Sequence, residues 1–339
     1  MVMKINKMEQ TIKEQFKTLG CHGNGDDSYK VLSFEDLPHK LGKSSEGYPM
    51  FFICVNETTS PVKNITREIL SVEYNQLCRL SSEEGDMERS YSIITLRSPE
   101  WALQSSFIDI VVLMLQKIQP MPSRKTLSIE VEKLITIFSA LVNPPVKKMQ
   151  GLWGELLVIE QSKYPETLIN AWHSSPNAKF DFTLGRDKIE VKTTSSENRI
   201  HHFSIDQLNP SPSSRLLVAS MTVRESGGGN GGKSVRDLFD AIYQKVGVQE
   251  RFHLYQIVAE TVGNSISKLD AVHFDYVEAT DTLTYFCAKD IPHIKKSDVP
   301  AGVNEVKFAS SLDGIPQAFS PEKKSEYQES PLFKSIMRW

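Results

Sequence analysis

The chain has 339 residues, 40% hydrophobic and 24% charged, with net charge -3 and a pI near 6.3; this allows a sizeable core and two domains but excludes a broad basic field, so any nucleic-acid contact falls to a local groove. Cys21, Cys54, Cys78 and Cys287 are scattered with no C-x-x-C pair, which argues against a zinc ribbon or a disulfide framework and for a reducing cytoplasm. The charged start "MVMKINKMEQTIKEQF" is unlike a signal peptide, and the longest apolar run, "FIDIVVLMLQKI", is too short and interrupted to span a bilayer, so a cytoplasmic protein without membrane contact is expected.

In chain order, residues 8–19 read as a short helix and "GCHGNGDDS" as a loop. "YPMFFICVNE", "EILSVEYNQL" and "SYSIITLRS" are rich in aromatic and β-branched residues and predict an antiparallel sheet. "WALQSSFIDIVVLMLQKIQP" spaces its apolar residues as a largely buried helix, stopped by Pro120 and Pro122. "LSIEVEKLITIFSALV" predicts a second helix ended at Asn143, Pro144 and Pro145, and "VKKMQGLWGELLVIEQSKY" a third, apolar on nearly every side and therefore buried. The expected organisation is an N-terminal α+β domain over 1–125, without evident chemistry, and a second domain over 126–339. In the second, "RLLVASMTV" reads as a strand and "VRDLFDAIYQKV" as an amphipathic helix. "FHLYQIVAETV", "TLTYFCAKDIPHI" and "GVNEVKFASSL" read as further strands and turns, for a mixed α/β (α+β) fold.

The segment "KFDFTLGRDKIEVKTT" reads as two alternating strands joined at Gly185-Arg186, with Gly in the first central position of a two-residue turn. That turn pairs Leu184 with Asp187 and Thr183 with Lys188, and extends to place Asp181 opposite Glu190, with Cβ atoms roughly 4.5–5.5 Å apart. Lys192 shares the face of Glu190, while Ile189 and Val191 point the other way. An arbitrary E-x-K on a strand is ordinarily a solvated face carrying an ion pair. Here Phe180 and Phe182 anchor the strand of Asp181, and the buried helix upstream carries Glu155. Carboxylates that meet at one point repel unless a cation neutralises them, and oxygen donors without imidazole or thiolate select Mg²⁺ or Mn²⁺. A lysine beside such an ion can steer and help deprotonate water, or stabilise charge on a phosphate.

At these residues the sequence resembles the PD-(D/E)XK nuclease superfamily. Asp181, preceded by Phe180 where the motif has Pro, matches the first acid; Glu190-Val191-Lys192 matches the second motif; Glu155 in "GLWGELLVIE" falls where the first helix often carries a Glu. The longer string "GLWGELLVIE … FDFTLGRDKIEVKTTSSENRIHHFSIDQL" is similar to a bacterial family known by that motif, whose members tend to lie in phage-defence gene neighbourhoods. The resemblance implies a restriction-endonuclease-like αβββαβ core and a Mg²⁺- or Mn²⁺-dependent endonuclease cutting DNA in restriction or phage defence. It implies Asp181, Glu190 and Glu155 on the metal and Lys192 positioning the attacking water. Other defence-system proteins are implied as partners, and a homodimer where both strands are cut. In "ENRIHHFSIDQL" it implies Gln207 near the metal site or the nucleic acid, and Arg199 and His201 on phosphates. Ser204 reads equally as the cap of a helix entering at Ile205. His201 and His202 are disfavoured as a joint metal pair, because neighbours on a strand point to opposite faces, and Glu160 is an alternative to Glu155.

The run "GGGNGGKS", Gly227 to Ser234, matches G-x-x-x-x-G-K-[ST] letter for letter and lies between a strand and a helix, as a phosphate-cradling loop requires. Only 105 residues follow Ser234, however, and Asp275 is a poor candidate for the acid that would hold Mg²⁺. The glycines read better as a flexible connector beside the cleft, with Lys233 on DNA backbone. Two alternatives to the nuclease stay open: a catalytically silent DNA-binding or assembly subunit of a defence complex, and, ranked below it, a P-loop-type nucleotide-binding protein.

Overall fold

The computed structural model describes residues 11–22, 28–56, 63–145, 148–173, 178–226, 231–319 and 327–337. The chain divides into two compact units, Met1–Pro145 with Val262–Ser267, and Val146–Thr261 with Lys268–Trp339. The helix Arg124–Ala140 thus goes with the first unit, although the sequence placed the divide at residue 125.

In the first unit six strands, β1 (Ser28–Phe34), β2 (Leu37–Lys43), β3 (Pro49–Ile53), β4 (Ile65–Thr66), β5 (Leu70–Ser82) and β6 (Gly85–Leu96), form one sheet in the order β1-β2-β3-β6-β5-β4. The neighbours in that order are antiparallel, but β1 also pairs with β5 in parallel, so five of the strands close on themselves as a barrel. Closure satisfies edge groups that an open sheet would leave as a template for aggregation. Strand alternation explains the unbroken apolar run of β3. Phe52 points into the cluster of Val31, Leu80, Tyr91 and Ile93, and its neighbour Phe51 meets Phe107 of α1 (Trp101–Lys117) with ring centroids 5.6 Å apart. Phe107 in turn meets Phe138 of α2 (Arg124–Ala140) at 5.5 Å.

The second unit opens with α3 (Met149–Glu160) and α4 (Pro165–Ala171), followed by β7 (Phe182–Leu184), β8 (Asp187–Thr194), β9 (Ile200–Ser204), the one-turn helix α5 (Ile205–Leu208) and β10 (Arg215–Thr222). Next come β11 (Glu225–Ser226), β12 (Gly232–Ser234), α6 (Val235–Lys245), α7 (Val248–Val262), β13 (His273–Asp275), α8 (Tyr276–Thr282), β14 (Thr284–Cys287), β15 (Lys307–Ser311) and α9 (Pro331–Ile336). A four-stranded sheet runs β14-β10-β8-β7. The β8–β10 pair is parallel and the others antiparallel, while β9 leaves this sheet to pair with β15. The segment "FHLYQIVAETV", read from sequence as strand and turn, is helical within α7. Among the described residues no helix is long and apolar enough to cross a membrane.

Candidate active site

The helix α3 reaches β8 because Gly154 has no side chain. A Cβ there would stand 2.4 Å from Thr193 Cγ2 and 3.6 Å from Val191 Cγ1, so only glycine admits this approach. Glu155, the next residue, is 3% exposed. Its Oε2 accepts a hydrogen bond from Trp172 Nε1 at 2.7 Å and lies 3.0 Å from His173 Nε2. Trp172 bridges to Phe182, and the His173 backbone N–H donates to the Asp181 carbonyl at 2.9 Å. The segment after α4 is thereby laced to the start of the hairpin. His173 holds φ +42, a conformation uncommon for a side-chain-bearing residue that neighbouring contacts must maintain.

The hairpin has the register expected from its turn: Leu184 pairs with Asp187, Thr183 with Lys188 and Phe182 with Ile189. Gly185 takes φ +57, the left-handed backbone the turn requires. Asp181 lies one residue before this ladder, and its Oδ2 accepts from the backbone N–H of Val191 at 2.8 Å. The first acid is thus pinned to the middle of the Glu190-Val191-Lys192 segment. Glu190 is 3% exposed. Its Oε1 receives Lys192 Nζ at 2.9 Å and a short hydrogen bond from Gln207 Nε2. Gln207 Oε1 accepts from Lys192 Nζ at 3.2 Å and from the Ser204 backbone N–H at 3.0 Å. Two donors on its oxygen and a carboxylate on its nitrogen orient this amide. Gln207 therefore joins the acid–lysine pair to the start of α5, the capping position read for Ser204.

Arg199, read as a phosphate contact, donates from Nη1 to the Ser220 carbonyl at 2.9 Å and from Nη2 to the Thr282 carbonyl at 2.6 Å, which ties β9 to β10 and α8. His201, read likewise, is buried with Nε2 2.8 Å from Ser220 Oγ. Burial, and next the charges of Lys192 and Arg199, lower its pKa to about 4. His202 is exposed. Glu160 accepts from Lys245 Nζ at 3.0 Å and from the Tyr276 hydroxyl at 2.9 Å. Burial raises its pKa, but the hydrogen bonds from Lys245, Gln161 and Tyr276 outweigh that and hold it below the usual range. Of the glycine run, residues 227–230 lie outside the described residues, and Gly232-Lys233-Ser234 is strand β12, paired with β13. Lys233 Nζ sits 3.3 Å from the centre of the Tyr276 ring, and Ser234 caps α6 by accepting from the Asp237 N–H at 3.1 Å. Asp275 caps α8 by accepting from the Glu278 N–H at 2.9 Å.

Among the described residues, one atom each of Glu155, His173 and Asp181 lie within 4.8 Å of one another, and Glu190 is not part of this set. Glu155 and His173 are hydrogen-bonded to each other at 3.0 Å, and together with Asp181 they are the residues that would hold a cation. Two carboxylates and an imidazole are a donor set that fits a divalent cation. The sequence had expected oxygen donors alone. His173 gave no signal there, since a lone histidine in "NAWHSS" has no ligand spacing; only the fold brings it to the acids.

A family model described as "Putative PD-(D/E)XK family member, (DUF4420)" matches residues 12–313 of the chain. No curated protein and no solved structure matches it.

Proposed function

Because the chain belongs to this PD-(D/E)XK family, we propose that it is a divalent-metal-dependent endonuclease that hydrolyses DNA phosphodiester bonds in restriction or phage defence. The observation that carries this reading is the 2.8 Å hydrogen bond from Val191 N–H to Asp181, which sets the first acid against the acid–lysine segment. In the proposal Asp181 and Glu155 hold the ion, Mg²⁺ or Mn²⁺, and Glu190 completes the acidic set through its link to Lys192. When bound, the ion supplies Lewis-acid activation of water and phosphate. Lys192 has three N–H donors, and Glu190 Oε1 and Gln207 Oε1 accept two of them. The third is assigned to the attacking water or a non-bridging phosphate oxygen, where a fixed positive charge favours the pentacovalent transition state. Gln207 keeps the ammonium in place. Arg199 and His201 serve the scaffold in this reading, and DNA contact is left to groups around the cleft, Lys233 among them.

The test is incubation of the purified protein with plasmid and phage DNA, with and without Mg²⁺ or Mn²⁺. Metal-dependent cleavage that falls at least about 100-fold in Lys192→Ala, with the melting temperature kept, is expected for a lost charge-stabilising donor. Equal cleavage by the variant would remove Lys192 from the mechanism. DNA binding in EDTA without cleavage in either metal would favour the silent DNA-holding subunit.

A further inference from the structure

We infer that His173 Nε2 is a direct ligand of the catalytic ion and biases the site towards Mn²⁺ over Mg²⁺. The inference rests on the proposed metal-dependent reading and adds to it a nitrogen donor and a metal preference. Three observations converge on it. His173 Nε2 is 3.0 Å from Glu155 Oε2 and belongs, with Asp181, to the set of atoms within 4.8 Å. The residue is held at φ +42, and its own N–H donates to the carbonyl of the ligand candidate Asp181 at 2.9 Å, so ring and acid are positioned by one backbone link. Trp172, immediately before it, donates to Glu155 Oε2 at 2.7 Å and fixes the orientation of that carboxylate. Trp172 is itself wholly buried and runs nearly parallel to the His173 ring, with an interplanar angle of 29°. The imidazole is thus placed by its surroundings and is not a surface side chain that happens to pass an acid.

The chemical consequence follows from donor type. Mg²⁺ takes hard oxygen ligands and keeps several waters, whereas imidazole is a good ligand for first-row transition ions. Mn²⁺ accepts both carboxylate oxygen and imidazole nitrogen, so replacing one oxygen by His173 favours it selectively. A purely structural His173, hydrogen-bonded to Glu155 and never touching the ion, would leave metal preference unchanged.

The experiment is Mn²⁺ binding to the full chain without nucleic acid, followed by electron paramagnetic resonance, with Mg²⁺ as competitor. In the wild type the pulsed spectrum should carry the ¹⁴N coupling of a bound imidazole, and Mg²⁺ should displace Mn²⁺ only at concentrations at least about tenfold higher. The variant is His173→Asn, because Asn tolerates positive φ and retains a polar side chain near Glu155. It should lose the ¹⁴N coupling and shift the Mn²⁺/Mg²⁺ affinity ratio towards Mg²⁺ by at least about tenfold. Absence of ¹⁴N coupling in the wild type, or its persistence in His173→Asn, overturns the inference, as does an unchanged Mn²⁺/Mg²⁺ ratio. Asp181→Asn separates the two readings. If the wild type cleaves DNA and Asp181→Asn abolishes both cleavage and Mn²⁺ binding while His173→Asn changes neither, the nuclease stands and the His173 ligand falls. If the ¹⁴N coupling is present and no DNA is cut, the ligand stands and the nuclease falls.

Discussion

His201 lies one strand away from the acid–lysine pair, 3% exposed and hydrogen-bonded to Ser220. A buried imidazole is cheaper to keep neutral than charged, and the nearby cations Lys192 and Arg199 add to that, so its pKa falls to about 4. In the unfolded chain the same group titrates near 6.5. Between these values the unfolded state binds a proton that the folded state refuses, so stability is complete above about pH 6.5 and is lost as pH falls towards 4. The slope is about 1.4 kcal/mol per pH unit, on the order of 3 kcal/mol in all. Urea titrations between pH 7 and pH 4.5 should show this acid loss, and His201→Gln, neutral throughout and still able to bond Ser220, should flatten it by about that slope. A slope unchanged in His201→Gln would mean that His201 is protonated in place. The same stretch shows what residue identity leaves open: Arg199 and His201 read as phosphate contacts in a string, and in the fold His201 faces inward while Arg199 donates to backbone carbonyls.

At the scale of elements, the contact between α3 and β8 decides where Glu155 stands. Gly154→Ala adds a methyl group 2.4 Å from Thr193 Cγ2, so the helix must shift or Thr193 must move. Overpacking of this kind costs about 1–3 kcal/mol, set against a gain of up to about 1 kcal/mol from helix propensity. Gly154→Ala should therefore lower the melting temperature, and lower cleavage further because Glu155 moves with the helix. Thr193→Ser removes Cγ2, and the double variant should recover most of both losses in a double-mutant cycle; no coupling between the two positions would show that the helix accommodates the methyl elsewhere. The elements of this site were legible because their patterns are local. The alternation around Gly185 fixed the hairpin register, and the apolar helix with one embedded acid marked α3. The helix α7 was misread. Phe252, Leu254, Tyr255, Ile257, Val258, Ala259 and Val262 are all buried, which narrows the polar face to His253, Gln256 and Glu260 at helical spacing, and the aromatic and β-branched residues around that thin stripe read as a strand. The parallel closure of β1 on β5 was equally silent, since a pairing about 50 residues apart leaves no local pattern. His173 belongs to the same class: the Trp172–Phe182 bridge brings it beside Asp181, a pairing that sequence spacing does not encode.

For the molecule as a whole, charge sets how it must meet a polyanion. The net charge of -3 gives no long-range attraction to DNA, and two of the cations near the candidate site are already engaged: Lys192 by Glu190 and Arg199 by backbone carbonyls. Counterion release scales with the number of phosphates neutralised, with a slope of about 0.9 per phosphate in log affinity against log salt. Proteins that rely on a broad basic face neutralise many phosphates and lose binding steeply between 50 and 200 mM salt, by about 10³ or more. If phosphates are met only by a few local cations, as the absence of a net positive charge favours, the salt slope should be shallow, on the order of two to three phosphates. Binding should depend instead on the divalent ion, which offsets the repulsion between the acids and the scissile phosphate. Fluorescence anisotropy with Ca²⁺ in place of Mg²⁺, a substitution expected to support binding without turnover, measures both quantities on one DNA duplex. The expected result is a shallow monovalent-salt slope together with an affinity that drops when Ca²⁺ is chelated. A steep slope that is indifferent to Ca²⁺ would place the DNA on a basic surface away from Glu155, His173 and Asp181, and would separate binding from the candidate metal centre.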